Sequence, residues 1–100
     1  MLVINGTIDY DPASTEVMHA AAVAMQQATR SEDGCYVYAF SACLEEPGRV
    51  YIAEKWESQE ALEAHFATPH MAEFGKAIAG AGVTKVDVVK YEVASEGPVR

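Results

Sequence analysis

The sequence predicts an α+β fold of the ferredoxin-like type, in which a β-α-β-β-α-β chain forms a four-stranded antiparallel sheet with helices on one face. Three observations predict it. Segments that alternate apolar and polar residues flank segments whose apolar residues recur at helical spacing. A turn by composition, EEPG at residues 45–48, joins the two central strands into a hairpin. With 100 residues and 50% hydrophobic content, the chain is expected to form one domain with a limited core.

The first strand is predicted at residues 2–10 (LVINGTIDY). Alternation places four of its apolar side chains on one face: Leu2, Ile4, Ile8 and Tyr10. Asp11 can cap the helix that follows, and Pro12 has the fixed φ angle of a first helical turn. The apolar residues of this helix recur at helical spacing up to about Thr29 and are expected to form one buried stripe: Val17, Met18, Ala21, Ala22, Met25 and Ala28.

The second and third strands are predicted at residues 35–44 (CYVYAFSACL) and 49–57 (RVYIAEKWE). Alternation divides the second strand into two apolar faces, with Tyr36, Tyr38, Phe40 and Ala42 on one and Cys35, Val37, Ala39 and Cys43 on the other. Eight residues of extended strand separate Cys35 from Cys43 by more than about 20 Å, so no disulfide between them is expected.

Two helical pieces and a last strand complete the predicted order. Ser58 can cap a helix that stops near Thr68 because proline disfavours helix in the residue before it. Thr68 can cap again, with Pro69 in the next first turn. The buried side of this second piece is marked by Met71, Phe74 and Ile78, and the piece ends at Gly80 or Gly82. Residues 83–93 (VTKVDVVKYEV) are predicted to form the last strand.

The second strand predicts a partner subunit. An antiparallel sheet with one wet face should alternate cleanly, and this strand is apolar on both sides. We therefore expect a two-fold homodimer through the helix-free sheet face.

Charge and hydropathy exclude two classes of partner. Seven basic against 15 acidic residues give a formal net charge of −8, which repels phosphate backbones and argues against nucleic acid. No apolar run approaches the length that a membrane span needs, and the N-terminus enters a strand pattern directly. The expectation is a cytoplasmic protein with no membrane partner.

The run YIAEKWESQEALEAHFATPHMAEF, residues 51–74, resembles the antibiotic biosynthesis monooxygenase family. The resemblance lies in the spacing of Glu54, Trp56, Ser58, His65, Pro69 and His70, and element order extends it over about residues 1–93. It implies a dimeric α+β barrel, with a single family domain over residues 1–95 and a polar tail over 96–100. It also implies oxidation of a quinol- or anthrone-like aromatic substrate by molecular oxygen without flavin, haem or metal.

Haem-degrading relatives of the family resemble this chain less well. Asn5 matches the asparagine that they carry on the first strand. The positions of their tryptophan and of their histidine ligand are held by His65 and Gly75, so haem degradation is disfavoured.

The candidate catalytic residues are His65, Asn5 and Glu54. Glu54 shares a strand face with Val50 and Ile52. Leu62, His65 and Phe66 lie on one stripe of the following helix and are expected to pack inward, so Glu54 and His65 should share one layer. His65 is predicted to be the general base that deprotonates the substrate. Asn5 is predicted to donate to the substrate oxygen as charge develops. Candidate substrate-binding residues are Trp56, Tyr38, Phe40, Phe66, His70 and Phe74.

The alternative function is a non-catalytic module that binds or senses a small ligand on the same barrel. In it, Glu54 and His65 satisfy each other or a helix end, and Trp56 belongs to the core. A metal site is not predicted. His65 and His70 are five residues apart across a proline, and neither HExxH nor CxxC spacing occurs.

Overall fold

Strands and helices follow one another in the predicted order in the computed structural model, which describes residues 1–100. The strands are β1 (Leu2–Asp9), β2 (Cys35–Ala42), β3 (Arg49–Trp56) and β4 (Lys85–Glu92), and the helices are α1 (Thr15–Thr29), α2 (Gln59–Phe66) and α3 (Pro69–Ile78). A short 3-10 turn over Pro12–Ser14 leads into α1. The ferredoxin-like prediction is confirmed, and the second helical segment divides at the predicted break before Pro69.

The four strands form one antiparallel sheet in the order β2-β3-β1-β4. The helices pack on one face, the helix side, and leave the other, the helix-free face, uncovered. Side chains of β3 alternate as predicted, with Val50, Ile52, Glu54 and Trp56 buried on the helix side. Two apolar clusters fill the layer between sheet and helices: Leu2, Ile4, Met25, Tyr38, Trp56 and Leu62 in one, and Ile8, Tyr10, Met18, Val50, Ile52 and Ala81 in the other.

A β-bulge at the start of β2 corrects one prediction. Cys35 lies opposite Trp56 and Val37 lies opposite Lys55, so β2 has one more residue than β3 over this stretch. Cys35 therefore lies on the helix side and packs against the same cluster as Tyr38. The prediction that these two residues face opposite ways is wrong, because strict alternation assumes an unbulged strand. Both cysteines of the chain are free.

The predicted side-chain caps are confirmed at Ser58 and Thr68, whereas Asp11 caps the short 3-10 turn and α1 begins after Ser14 without a side-chain cap. The side chain of Asp11 accepts a hydrogen bond from the backbone N–H of Ala13, that of Ser58 from Ala61, and that of Thr68 from Met71. Each cap satisfies a donor that the first turn of a helix leaves free.

The buried stripe of α1 is narrower than predicted. Its buried residues are Met18, Ala21, Ala22, Met25 and Thr29, whereas Val17 is 51% exposed. The prediction of Val17 as an inward residue is wrong, because one step along a helix rotates a side chain by about 100°.

The helices do not extend over β4, so every side chain of this edge strand is exposed. The helix-free face carries exposed apolar side chains on three strands, among them Val37 of β2, Tyr51 of β3, and Val89 and Tyr91 of β4. None of the helices is long and apolar enough to cross a membrane.

Candidate functional site

One carboxylate and two imidazoles form a hydrogen-bonded cluster. Glu32 Oε2 lies 2.7 Å from His65 Nδ1 and 2.6 Å from His70 Nε2. An ionised carboxylate only accepts hydrogen bonds, so both ring nitrogens donate to it. The side chains of His65, Glu32 and His70 are 2%, 13% and 25% exposed. The cluster therefore runs from the core to the surface.

The two histidines are held by the junction between α2 and α3. His65 lies in the last turn of α2, and His70 lies in the first turn of α3. The Thr68 hydroxyl donates to the backbone carbonyl of His65 at 2.7 Å and accepts from the backbone N–H of Met71 at 3.2 Å. One side chain thus ties the end of α2 to the start of α3 and fixes the spacing of the two imidazoles.

Glu32 reaches the histidines from the loop between α1 and β2. The loop packs directly on α2 because Gly34, at φ 79°, comes so close that an added Cβ would lie 2.8 Å from the Cβ of Ala61. Gly34 also accepts a hydrogen bond from the backbone N–H of Glu57 at 2.8 Å. Glu32 was not predicted from the sequence, where it is marked only by its place in an acidic loop after a helix.

Glu54 pairs with Trp56 instead of His65. The indole Nε1–H donates to Glu54 Oε1 at 2.8 Å, with Trp56 fully buried and Glu54 9% exposed. Burial raises the pKa of Glu54, and the indole hydrogen bond and the nearby His65 partly oppose that rise. Glu54 and His65 share the buried layer as predicted, but the alternative in which they satisfy each other is wrong, because each has a different hydrogen-bond partner.

Aromatic rings surround His65. Its ring centroid lies 4.9 Å from that of Trp56 and 5.4 Å from that of Tyr38, and Phe40 packs on Phe74 at 5.4 Å. Burial raises the pKa of Tyr38 well above its ordinary value, so its hydroxyl stays protonated and can donate. The structure thus brings most of the predicted aromatic residues to the helix side around His65.

Asn5 does not join this group, and Phe66 joins it only in part. The ring centroid of Phe66 lies 5.9 Å from that of His65, but Phe66 ends α2 and is 55% exposed, so the prediction that it packs inward is wrong. Asn5 is exposed and lies on the helix-free face, between Ala53 and Val89 of the neighbouring strands. Within one protomer the sheet separates Asn5 from His65.

His65 is almost completely covered, its side chain being 2% exposed. A cavity of about 190 Å³ lies between α1 and the β2-β3 edge and is lined in part by Phe40. A smaller one of about 90 Å³ lies between α1 and α3 and is lined in part by His70 and Phe74. His65 lines neither cavity, so a substrate would have to displace neighbouring side chains to reach it.

The cluster is suited to proton transfer. When Nδ1–H of His65 donates to Glu32, the other ring nitrogen, Nε2, carries the lone pair and can take a proton. The carboxylate then stabilises the imidazolium that forms.

Comparison with known proteins points to one family. The family described as "Antibiotic biosynthesis monooxygenase" matches residues 1–77. A protein of Escherichia coli K12 named "Probable quinol monooxygenase YgiN" is 37% identical over 57 residues, which are 49% of this chain and 55% of that protein. The match therefore spans about half the length of this curated relative.

Solved structures resemble the whole chain. A Deinococcus radiodurans protein, provisionally described as an antibiotic biosynthesis monooxygenase, superposes with a TM-score of 0.91 at 29% identity and covers 100% of this chain and 99% of its own. PA3566 from Pseudomonas aeruginosa superposes with a TM-score of 0.83 at 26% identity, over 93% of this chain and 94% of its own. Rv0793 from Mycobacterium tuberculosis, at 23% identity, has the same fold with a TM-score of 0.86 over 97% of this chain and 98% of its own.

Proposed function

The chain belongs to the antibiotic biosynthesis monooxygenase family, and on that premise we propose that it oxidises a quinol- or anthrone-like aromatic substrate with molecular oxygen and without an added cofactor. The single observation that carries the proposal is the hydrogen bond between Glu32 and the buried Nδ1 of His65. It holds the imidazole in the tautomer whose Nε2 is a base.

Such a base can form the substrate anion that the reaction with oxygen requires. Direct reaction of a singlet organic molecule with triplet oxygen is slow until the substrate becomes an electron-rich anion that can release one electron. Deprotonation of a quinol or an anthrone gives a delocalised anion. A positioned histidine contributes roughly 10²- to 10⁴-fold to such a proton transfer.

The reaction balances without a further reductant for an anthrone-like substrate. A ring CH₂ becomes C=O, one atom of O₂ enters the product, and the other leaves as water with the two hydrogens. The substrate supplies all four electrons. His65 takes the first proton, and Glu32 stabilises the imidazolium until the proton passes to reduced oxygen.

Access to His65 is proposed through the α3 side of the layer. No side chain of α3 is fully buried, and the 90 Å³ cavity there is lined by His70 and Phe74. A planar ring entering at this point would pass between these two side chains and stack near Trp56. In this proposal, His70 and Phe74 line the entrance to the pocket.

The proposed active form is a homodimer joined through the helix-free face. Val37, Tyr51, Val89 and Tyr91 are between 43% and 51% exposed there. Sedimentation equilibrium is expected to give about twice the 10.8 kDa mass of the chain.

Tyr51→Glu should dissociate the dimer, because it brings a charge into a face that burial would desolvate. Phe66→Glu, on the helix side, should not, and a wild-type monomer at micromolar concentration would refute the interface.

Oxygen uptake tests the function. Wild type, His65→Gln and the control His19→Gln, an exposed histidine on α1, are assayed with hydroquinones and an anthrone in the presence of EDTA, with autoxidation subtracted. We expect uptake by wild type and His19→Gln, and a loss on the order of 100-fold or more in His65→Gln. Equal uptake by His65→Gln would remove the base assignment.

Absence of uptake across the panel would favour the ligand-binding alternative. Trp56 is the only tryptophan of the chain and contacts His65, so its fluorescence reports an aromatic ligand at this site. Quenching by the same compounds without oxygen uptake would assign a carrier or sensor.

A further inference from the structure

We propose that Glu32, His65 and His70 form a binding site for a divalent transition-metal ion of the Zn²⁺ or Co²⁺ class. The three side chains come from a loop, from α2 and from α3, and their potential ligand atoms all lie within 4.8 Å of one another. The spacing of histidines and cysteines in the sequence did not predict a metal site, because the third ligand, Glu32, is distant from both histidines along the chain. The fold supplies the third ligand from 33 residues before His65.

An ion requires a limited rearrangement of the three side chains. Ligand atoms about 2.1 Å from a tetrahedral ion lie about 3.4 Å apart. Glu32 Oε2 lies 2.7 Å and 2.6 Å from the two ring nitrogens, so the carboxylate must withdraw by about 0.7 Å. The three ligand atoms lie within 4.8 Å of one another, so the two ring nitrogens must also approach each other to about 3.4 Å. Glu32 is on a loop and His70 is 25% exposed, so these two can move, while the buried His65 is the fixed ligand.

The donor set selects the class of ion. Two imidazole nitrogens suit Zn²⁺, Co²⁺ and their neighbours in the transition series, whereas Mg²⁺ and Ca²⁺ prefer oxygen ligands throughout. Three protein ligands leave at least one coordination position for water. The partly exposed His70 provides access from solvent, and the net charge of −8 attracts cations.

Metal binding and the base role of His65 exclude each other. An ion on Nδ1 takes the lone pair there, so the ring proton moves to Nε2, which then cannot accept a proton. Zn²⁺ is therefore expected to suppress oxygen uptake and EDTA to restore it. This consequence depends on the proposed function, but the site itself does not.

Cobalt spectroscopy tests the site without any assay of activity. Full-length protein freed of metal with EDTA is titrated with CoCl₂, and the visible d–d absorption reports ligand number and geometry. We expect one Co²⁺ per chain, displacement by ZnCl₂ and none by MgCl₂. Glu32→Gln and His70→Gln should each weaken binding on the order of 100-fold or more, since loss of a direct ligand costs at least as much as loss of an outer partner.

Three controls separate a lost site from a lost fold. In Glu32→Gln, the new side chain is isosteric with Glu and keeps an acceptor for both imidazoles. Circular dichroism verifies the fold of each variant. His19→Gln should bind Co²⁺ like wild type. A ZnCl₂-dependent rise in melting temperature should occur in wild type and His19→Gln and be absent from Glu32→Gln. No d–d bands in wild type, or binding that survives both Glu32→Gln and His70→Gln, would overturn the proposal whatever the oxygen-uptake assay gives.

Discussion

The hydrogen bond between Trp56 and Glu54 is expected to couple the two residues energetically. Trp56→Phe removes the indole N–H that donates to Glu54 at 2.8 Å, and Glu54→Gln removes the charge of the acceptor while keeping an oxygen at the same position. Both residues lie in the layer between β3 and the helices, where solvent cannot replace the lost partner. A double-mutant cycle of these changes isolates their interaction.

The magnitude follows from burial and charge. A hydrogen bond to a charged group contributes about 1.5–3 kcal/mol, and one between neutral groups about 0.5–1.5 kcal/mol. Trp56→Phe should therefore cost about 2–4 kcal/mol, the hydrogen bond plus the volume lost from a fully buried side chain. In the Glu54→Gln background the same change should cost about 1–2 kcal/mol less, because the bond lost there is neutral.

The pH dependence has a defined sign. Burial raises the pKa of folded Glu54 above its ordinary value of 4.5, so the folded state binds this proton more tightly than the unfolded state. The contribution of Glu54 to the free energy of unfolding is therefore full below pH 4.5 and is lost as pH rises through the folded pKa. The difference between wild type and Glu54→Gln should fall over this window.

Urea unfolding followed by far-ultraviolet circular dichroism measures the cycle, since Trp56→Phe removes the only tryptophan. All four proteins are compared at one protomer concentration, because association adds to apparent stability. A coupling within about 0.3 kcal/mol of zero would refute the argument. So would a difference between wild type and Glu54→Gln that is constant with pH.

Two further predictions use matched pairs. Gly6→Ala should lower the free energy of unfolding by several kcal/mol in the same urea assay, because a Cβ would lie 2.0 Å from the carbonyl oxygen of Asp87 in β4. Gly75→Ala in α3, where a Cβ meets open space, should raise the free energy of unfolding by about 0.5–1 kcal/mol. Equal effects of the two substitutions would contradict this reasoning. Tyr38→Phe should slow oxygen uptake about 10²-fold if the hydroxyl of this buried residue donates to the developing oxyanion. Tyr36→Phe, at an exposed residue of the same strand, should not slow it. Equal rates for Tyr38→Phe and wild type would exclude Tyr38 as that donor.

Local rules predicted most of the fold. The alternation in β3 assigned its buried face, and the caps at Asp11, Ser58 and Thr68 follow from short-range chemistry that the sequence contains. The bulge at Cys35 was not predicted, because no feature of the composition marks it. One added residue reverses the face on which the side chains before it lie.

The candidate site was only partly predictable, for a different reason. His65 and Trp56 stand in a run with regular spacing, so their approach to the core could be inferred. Glu32 belongs to a loop, and its meeting with His65 depends on the close packing of Gly34 against α2. No periodicity connects residues 33 apart, so this contact is a property of the tertiary fold. The hydrogen bond between Trp56 and Glu54, in contrast, joins residues two apart on one strand face, so it could have been predicted from the sequence.

The sheet itself limits which residues can act together. Asn5 and His65 lie on opposite sides of β1, so an oxyanion near His65 must find its donor on the helix side of the same protomer. Tyr38 meets that requirement: it is buried, its hydroxyl stays protonated because burial raises its pKa, and its ring lies 5.4 Å from the imidazole. The helix-free position of Asn5 instead suits the surface where we propose that two protomers meet. The fold therefore divides the residues that the sequence grouped as one catalytic set: His65 and Glu54 lie on the helix side, and Asn5 lies on the face where we propose that two protomers meet.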